Sequence, residues 1–373
     1  MKKAYLTNFT IQRPEFEIPQ DEMNDWLIAA GQRSLKHQEN GIEKEDLIPR
    51  IVKRFGVSSS LISHRGFYHK DFSLRDHRDM NIFSMISDKK GADLSVRGED
   101  YLNISNNIFE NFYENVNEAP KNLIHVSCTG YVSPSAAQTL VSKKDWGHST
   151  SVTHAYHMGC YASLPALKMA MGYNSIHGKQ VDIVNTELCS LHFNPVDYSP
   201  EKIIMHTLFA DGAIKYSLKD DFENKAFEVI GCNDILISDS LESMSWKISS
   251  HNFEMTLAKD VPDKIAKNLE EFIVNLLKES GMDYFGIKDQ CIFAIHPGGP
   301  KIIDGIKDVL GLREDQIKYS KMVLFKYGNM SSATLPHVWE SVLEFEPNGK
   351  YVISLAFGPG LTIAGSLMKV VKR

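Results

Sequence analysis

Gly159-Cys160-Tyr161-Ala162-Ser163-Leu164-Pro165 opens a run with helical character, Leu164 to Met171, near the middle of the chain. A cysteine at a helix start lies in the positive end of the helix dipole, which favours thiolate over thiol. The figure returns as Gly328-Asn329-Met330-Ser331-Ser332-Ala333-Thr334-Leu335-Pro336: a Gly-polar opening, small residues, then a Leu-Pro step. Small residues let a helix pack closely at a buried centre, so the echo fits a duplicated fold with two equivalent helices pointing at one site. Between the two lies His296, on the turn Ile295-His296-Pro297-Gly298-Gly299-Pro300 that follows an apolar strand. Strand ends of this kind are where α/β enzymes present ligands. A low-pKa nucleophile, an imidazole and an amide donor are the parts of an acyl-transfer site. The chain reads as a cysteine-dependent acyltransferase.

The bulk numbers fit such an enzyme. The 373 residues are 43% hydrophobic and 24% charged, as in an ordinary globular protein. A net charge of -6 and the lack of a Lys/Arg run argue against nucleic-acid binding. After Met1-Lys2-Lys3 the sequence is too short in apolar residues and too polar for a signal-peptide core. No apolar run approaches the ~18 residues of a membrane span, so cytoplasm is the expected location. Five scattered cysteines, Cys128, Cys160, Cys189, Cys232 and Cys291, with no CxxC pair, read as reduced thiols.

Buried strands are expected at 123–127, 181–185, 291–295 and 351–357, and a helix at 262–273, the pattern of an α/β protein. The polar stretch Lys219-Asp220-Asp221-Phe222-Glu223-Asn224-Lys225 is the expected seam. It divides an N-terminal half, 1–225, carrying the cysteine from a C-terminal half, 226–373, carrying His296 and Asn329. The charged first hundred residues are expected to form a lid or peripheral layer.

Several further blocks complete a resemblance. They are Thr186-Glu187-Leu188-Cys189-Ser190-Leu191-His192, Leu208-Phe209-Ala210-Asp211-Gly212-Ala213, Phe253-Glu254-Met255-Thr256-Leu257-Ala258-Lys259-Asp260-Val261-Pro262 and Phe357-Gly358-Pro359-Gly360-Leu361-Thr362. With the Cys, His and Asn blocks, in this order, the chain resembles the type III polyketide synthases, the chalcone-synthase-like branch of the thiolase-fold condensing enzymes. The resemblance covers roughly residues 120–370. It implies an α/β thiolase-like fold, five-layered αβαβα from two duplicated halves, and a homodimer. It implies Cys160 as the nucleophile that carries the starter, with His296 and Asn329 assisting malonyl decarboxylation. Phe209 and Phe253 would line the pocket and Gly358-Pro359-Gly360 would shape the cyclisation cavity. His192 stands where many members have threonine, and Glu187 is either a base or a structural carboxylate beside the site. Lys53, Arg54 and Lys301, with Arg65, are candidates for the CoA phosphates.

The implied reaction joins an acyl-CoA or acyl-carrier-protein starter to malonyl-CoA units, then closes a pyrone or phenolic ring, with no cofactor. An aliphatic starter fits the Glu187–His192 block. Single-step β-ketoacyl-carrier-protein synthase III chemistry, a ketosynthase joining two β-ketoacyl chains into a pyrone, and a non-catalytic binding module remain open alternatives. The physics of the assignment stands apart from the resemblance. Decarboxylation leaves an enolate whose oxygen needs fixed N–H donors, and asparagine donates at any pH. Phenylalanine walls would exclude water and disfavour the malonyl carboxylate. His154, His157 and Cys160 are spaced like metal ligands, but the condensing-enzyme motif accounts for them without a metal.

Overall fold

Nine strands of the computed structural model, which describes residues 3–35 and 47–373, run in one sheet. They are β1 (Tyr5–Gln12), β2 (Asn122–Ser127), β3 (Ser151–Tyr156), β4 (Val181–Leu188), β5 (Asp211–Lys219), β6 (Lys225–Leu236), β7 (Ile292–Ile295), β8 (Tyr351–Gly358) and β9 (Thr362–Lys372). Their order is β7-β8-β9-β6-β1-β5-β4-β2-β3. Outward from the middle, β1-β5-β4-β2 repeats as β6-β9-β8-β7. In each series two antiparallel pairings are followed by a parallel one. That repetition is the duplication which the echo of 159–165 at 328–336 implies. The two series meet where β1 pairs antiparallel with β6, Leu6 opposite Phe227.

Helices α1 (Leu94–Tyr113), α2 (Ser163–His177), α3 (Pro200–Leu208), α4 (Val261–Glu279) and α5 (Thr334–Phe345) complete the frame. The central pair, α2 and α5, packs against strands of both series, while α1 and α4 cover the outer faces. Helix, half-sheet, central helices, half-sheet and helix stack as αβαβα. Burial explains the sequence of the inner elements. All eight residues of β4 are buried, and α2 turns Leu164, Ala166, Leu167 and Ala170 inward. A strand covered on both faces reads as a continuous rather than alternating run.

Polar side chains in this core pair with one another across the two halves. Asn185 of β4 donates to Ser163 Oγ and Ser332 Oγ, both at 3.0 Å, and Ser163 Oγ donates to the Ser332 carbonyl at 2.6 Å. The starts of the two central helices are thus tied together through the echoed serines.

The expectation of a peripheral first hundred residues is corrected for its start. Tyr5–Gln12 is the middle strand of the sheet, with Leu6 wholly buried. After it, the helices Gln20–Leu35 and Leu47–Phe55 pack on each other and on α3.

Candidate active site

Cys160 sits on the turn leading into α2, where Gly159 takes φ +81°. A Cβ at Gly159 would stand 2.6 Å from Pro359 Cδ, so the close approach of the 358–360 loop to the cysteine requires glycine. The counterpart Gly328, at φ +71°, would bring a Cβ within 2.9 Å of the Leu208 carbonyl. Asn329 follows it and is held by backbone hydrogen bonds to Leu208 and Ala210, flanking Phe209. Its Oδ1 accepts from the Ser331 N–H at 2.8 Å and from Thr334 Oγ1 at 3.3 Å. The amide is therefore oriented, and its NH₂ end is turned to use elsewhere. Ser331 Oγ lies 3.7 Å from Cys160 Sγ and 2.7 Å from Cys128 Sγ.

Of these groups Gly159, Cys160, Cys128 and Ser331 border a cavity of about 910 Å³, and Asn329 and His296 are not among its lining residues. Cys160, Phe209, Phe253, His192 and Pro359 all line it, and it runs on among Met23, Leu27, Phe67, Phe72 and Phe193. His192 is fixed: its Nε2–H donates to the Thr129 carbonyl at 2.7 Å and its Nδ1 accepts from the Phe253 N–H at 3.0 Å. Its ring stacks on Phe253 with centroids 4.3 Å apart. Thr129, His192 and Phe253 also face a second cavity of about 540 Å³, and so form a partition.

Glu187 lies wholly buried behind this wall and accepts from Thr129 Oγ1 at 2.7 Å, from Ser332 Oγ and from the Cys128 N–H. Burial raises its pKa, and the donors around it pull the other way. Such a saturated carboxylate is a structural centre rather than a free base.

His296 follows β7 and is 2% exposed; neither ring nitrogen has a partner, and it makes no hydrogen bond to Cys160. Burial pushes the imidazole down to about 3 and the Cys160 thiol up to about 12. Hydrogen bonds from Ser331 and Asn329 lower the thiol, whereas the Glu187 charge raises it. A helix end supplies about 1 kcal/mol, under one pKa unit, so burial outweighs it. The thiolate expected at the helix start is corrected accordingly: burial holds Cys160 as the thiol and His296 as the neutral imidazole. Because the thiol's pKa is raised, thiolate is gained only as pH climbs. Alkylation of Cys160 by iodoacetamide is expected to keep accelerating above pH 8 in the unliganded protein. A plateau reached below pH 7 would mean a standing ion pair instead.

Lys53 and Arg54 are exposed on the helix Leu47–Phe55, and Lys301 is exposed in the first turn of the helix Pro300–Leu310; none lines the cavity. Arg65 is corrected as a phosphate contact, since it is 1% exposed in the cavity wall. The metal-like spacing of His154, His157 and Cys160 does not converge. His154 Nε2 meets Ser135 Oγ and His157 Nε2 meets the Trp246 carbonyl. Among the described residues, no three His, Cys, Asp or Glu side chains gather as a metal site.

Sequence reasoning missed Cys128, Lys202, His206 and Trp246 in this wall. Cys128 carried a signal, standing directly after the buried strand 122–127. Trp246 carried none, because it arrives on the hairpin of Met244–Ile248 and Phe253–Leu257 and donates to the Cys128 carbonyl.

Comparison with known proteins bears on this geometry. The family of chalcone and stilbene synthases, C-terminal domain, matches residues 228–372. The chain is 28% identical over 257 residues to type III polyketide synthase C of Arabidopsis thaliana, covering 66% of each. It is 26% identical over 260 residues to an alpha-pyrone synthesis polyketide synthase-like protein of Mycobacterium tuberculosis, covering 67% of this chain and 65% of the other. The matched region thus spans about two thirds of these relatives' length. The crystal structure of PKS-I from the brown alga Ectocarpus siliculosus superposes with a TM-score of 0.83 at 23% identity over 98% of both chains. The chain is thus similar in sequence to chalcone synthases and type III polyketide synthases, and it shares the fold of PKS-I.

Proposed function

We propose that the protein loads an acyl thioester on Cys160 and extends it with malonyl units by decarboxylative Claisen condensation, ending in a pyrone or phenolic ring. The observation that carries this reading is a cysteine at a helix start, beside an asparagine with a pinned Oδ1, at the wall of a cavity lined largely by apolar side chains. Attack of the sulfur on the starter carbonyl releases the donor thiol, and the Cys160 proton leaves to a base, for which His296 is the unpartnered candidate. The extender then loses carbon dioxide. Its enolate oxygen is met by the Asn329 NH₂ and by an N–H of neutral His296, donors that carry no charge to be solvated. The enolate carbon attacks the Cys160 thioester, which frees the sulfur for another round.

Phe209 and Phe253 fit the role of a dry wall at the reacting centre. Exposed Lys53, Arg54 and Lys301 are candidates for CoA phosphates. A homodimer and a cytoplasmic location belong to the same reading; among the described residues no helix is long and apolar enough to cross a membrane. The halves 1–225 and 226–373 are supported as a division by the strand order, which starts again at β6.

Incubation with a panel of acyl-CoA esters and malonyl-CoA tests the proposal through product masses. Malonyl-dependent products of two or more extensions support it. A linear product of one extension would favour the single-step alternative, and absence of any would sink both. The partition adds a prediction. His192→Ala removes two hydrogen bonds and a stacked ring and joins the two cavities, at a cost of about 3 kcal/mol in stability. The expected result is a lower melting temperature together with products longer by at least one malonyl unit. A lower melting temperature with the product set unchanged would show that this wall does not limit chain length.

A further inference from the structure

The cavity holds polar groups that loading and condensation leave unused. Arg65 lines it with its side chain wholly buried. Its Nε donates to Gln20 Oε1 at 2.7 Å and its Nη1 to the carbonyls of His206 at 2.6 Å and Phe209 at 2.9 Å, while Nη2 has no partner. Asp211 acts on this cation only through space, because its oxygens accept from Ser190 and from the Tyr68 N–H.

His206, on α3, lines the same cavity and its buried Nε2 is also unpaired. A hydrogen bond with the Asn194 backbone engages the ring, and burial keeps it neutral at physiological pH. With Nε2 free, Nδ1 is the donor to that carbonyl, which makes Nε2 an acceptor. One turn earlier, Lys202 gives one proton to the Met255 carbonyl at 2.8 Å and lines the cavity as well.

An unpaired donor and an unpaired acceptor therefore flank Phe209 in a cavity otherwise rich in Phe, Met and Leu. Buried groups in this state are costly until something pairs with them. A saturated acyl chain offers no oxygen to do so. The product of a malonyl condensation does: each round leaves an oxygen on alternate carbons, and a 1,3-dicarbonyl in its enol form presents one accepting and one donating oxygen.

We propose that Arg65 and His206 bind the oxygens of the growing β-keto chain, Arg65 Nη2 donating to a carbonyl and His206 Nε2 accepting from the neighbouring enol hydroxyl. This rests on the reading of the site given above and extends it to the intermediate that the site must retain. The pair holds the chain beside Phe209, in the cavity that Cys160 also lines, so that extension outpaces release.

The test uses the full chain with hexanoyl-CoA and malonyl-CoA, and compares His206→Phe, His206→Gln and Arg65→Lys with the wild type. His206→Phe keeps an aromatic ring against Phe193, 4.6 Å away by centroid, and removes the acceptor. The readouts are the acyl adduct on Cys160, malonyl-derived carbon dioxide per adduct, and the ratio of multiply to singly extended products. Losing one buried hydrogen bond is expected to lower that ratio about tenfold in His206→Phe. His206→Gln, which retains an acceptor, is expected to recover most of it, and Arg65→Lys to repeat the fall. A ratio unchanged in His206→Phe would mean that the pair meets only water and would overturn the proposal. Equal falls in the Phe and Gln variants would overturn it too, by assigning the effect to packing. Wild-type protein that loads but releases no malonyl-derived carbon dioxide would instead bring down the condensation reading itself.

Discussion

Cys160→Ala is expected to leave a folded protein that takes up no acyl group. The thiol contributes little to packing, its side-chain hydrogen-bond partners being Ser331 Oγ, at 3.7 Å, and Asn329. On the proposed mechanism no other thiol can take its place. Cys128 and Cys189 line the same cavity, but burial, with the Glu187 charge next, holds both thiols far above their ordinary range. Removing a nucleophile from a covalent mechanism costs on the order of 10⁴-fold in rate or more. Intact-mass measurement after acyl-CoA treatment should show one acyl group on the wild type and none on the variant, with similar melting temperatures. Peptide mapping that places the acyl group on Cys128 or Cys189 would reassign the nucleophile.

Asn329→Ala should separate the two half-reactions. Starter loading develops its oxyanion beside the cysteine, whereas the enolate forms on the extender thioester, where the Asn329 NH₂ is expected to donate. Loss of one such donor costs roughly 10²–10³-fold, and His296 remains to supply the other. Malonyl-derived carbon dioxide release should therefore fall by that factor while the acyl adduct still forms. The variant also frees the Ser331 N–H, which Oδ1 now caps. Asn329→Asp keeps that cap and removes the donor, so an equal fall in decarboxylation with both variants isolates the N–H. Loss of loading in both would assign Asn329 to shaping the pocket.

Much of this architecture was legible because it is written locally. The Gly-Cys and Gly-Asn turns, the Leu-Pro steps and the small serines lie within nine residues of one another in each half, and the helices they start are where the pattern puts them. The strands at 122–127, 181–188 and 351–358 were likewise visible as apolar runs. What escaped depends on distant parts of the chain. Nothing near Tyr5–Gln12 says that it will lie between β5 and β6. Nothing near Arg65 says that its partners are carbonyls of residues 206 and 209 rather than a phosphate in solvent. The charge state of Cys160 escaped for the same reason, since a helix start is local and burial is not.

The position of β1 has a consequence for how the chain reaches this state. Its register with β5 closes over some two hundred residues, and that with β6 over more, the long-range pairing that slows folding. During synthesis at about 5–20 residues per second, β1 waits roughly 10–40 seconds for either neighbour. Over that interval both of its edges are open to wrong partners. The irregularity it carries, Asn8 at φ 57° and a register shift between Thr7 and Thr10, makes it a poor template for such pairing. A strand made some two hundred residues before either neighbour is protected, meanwhile, by being slightly misshapen.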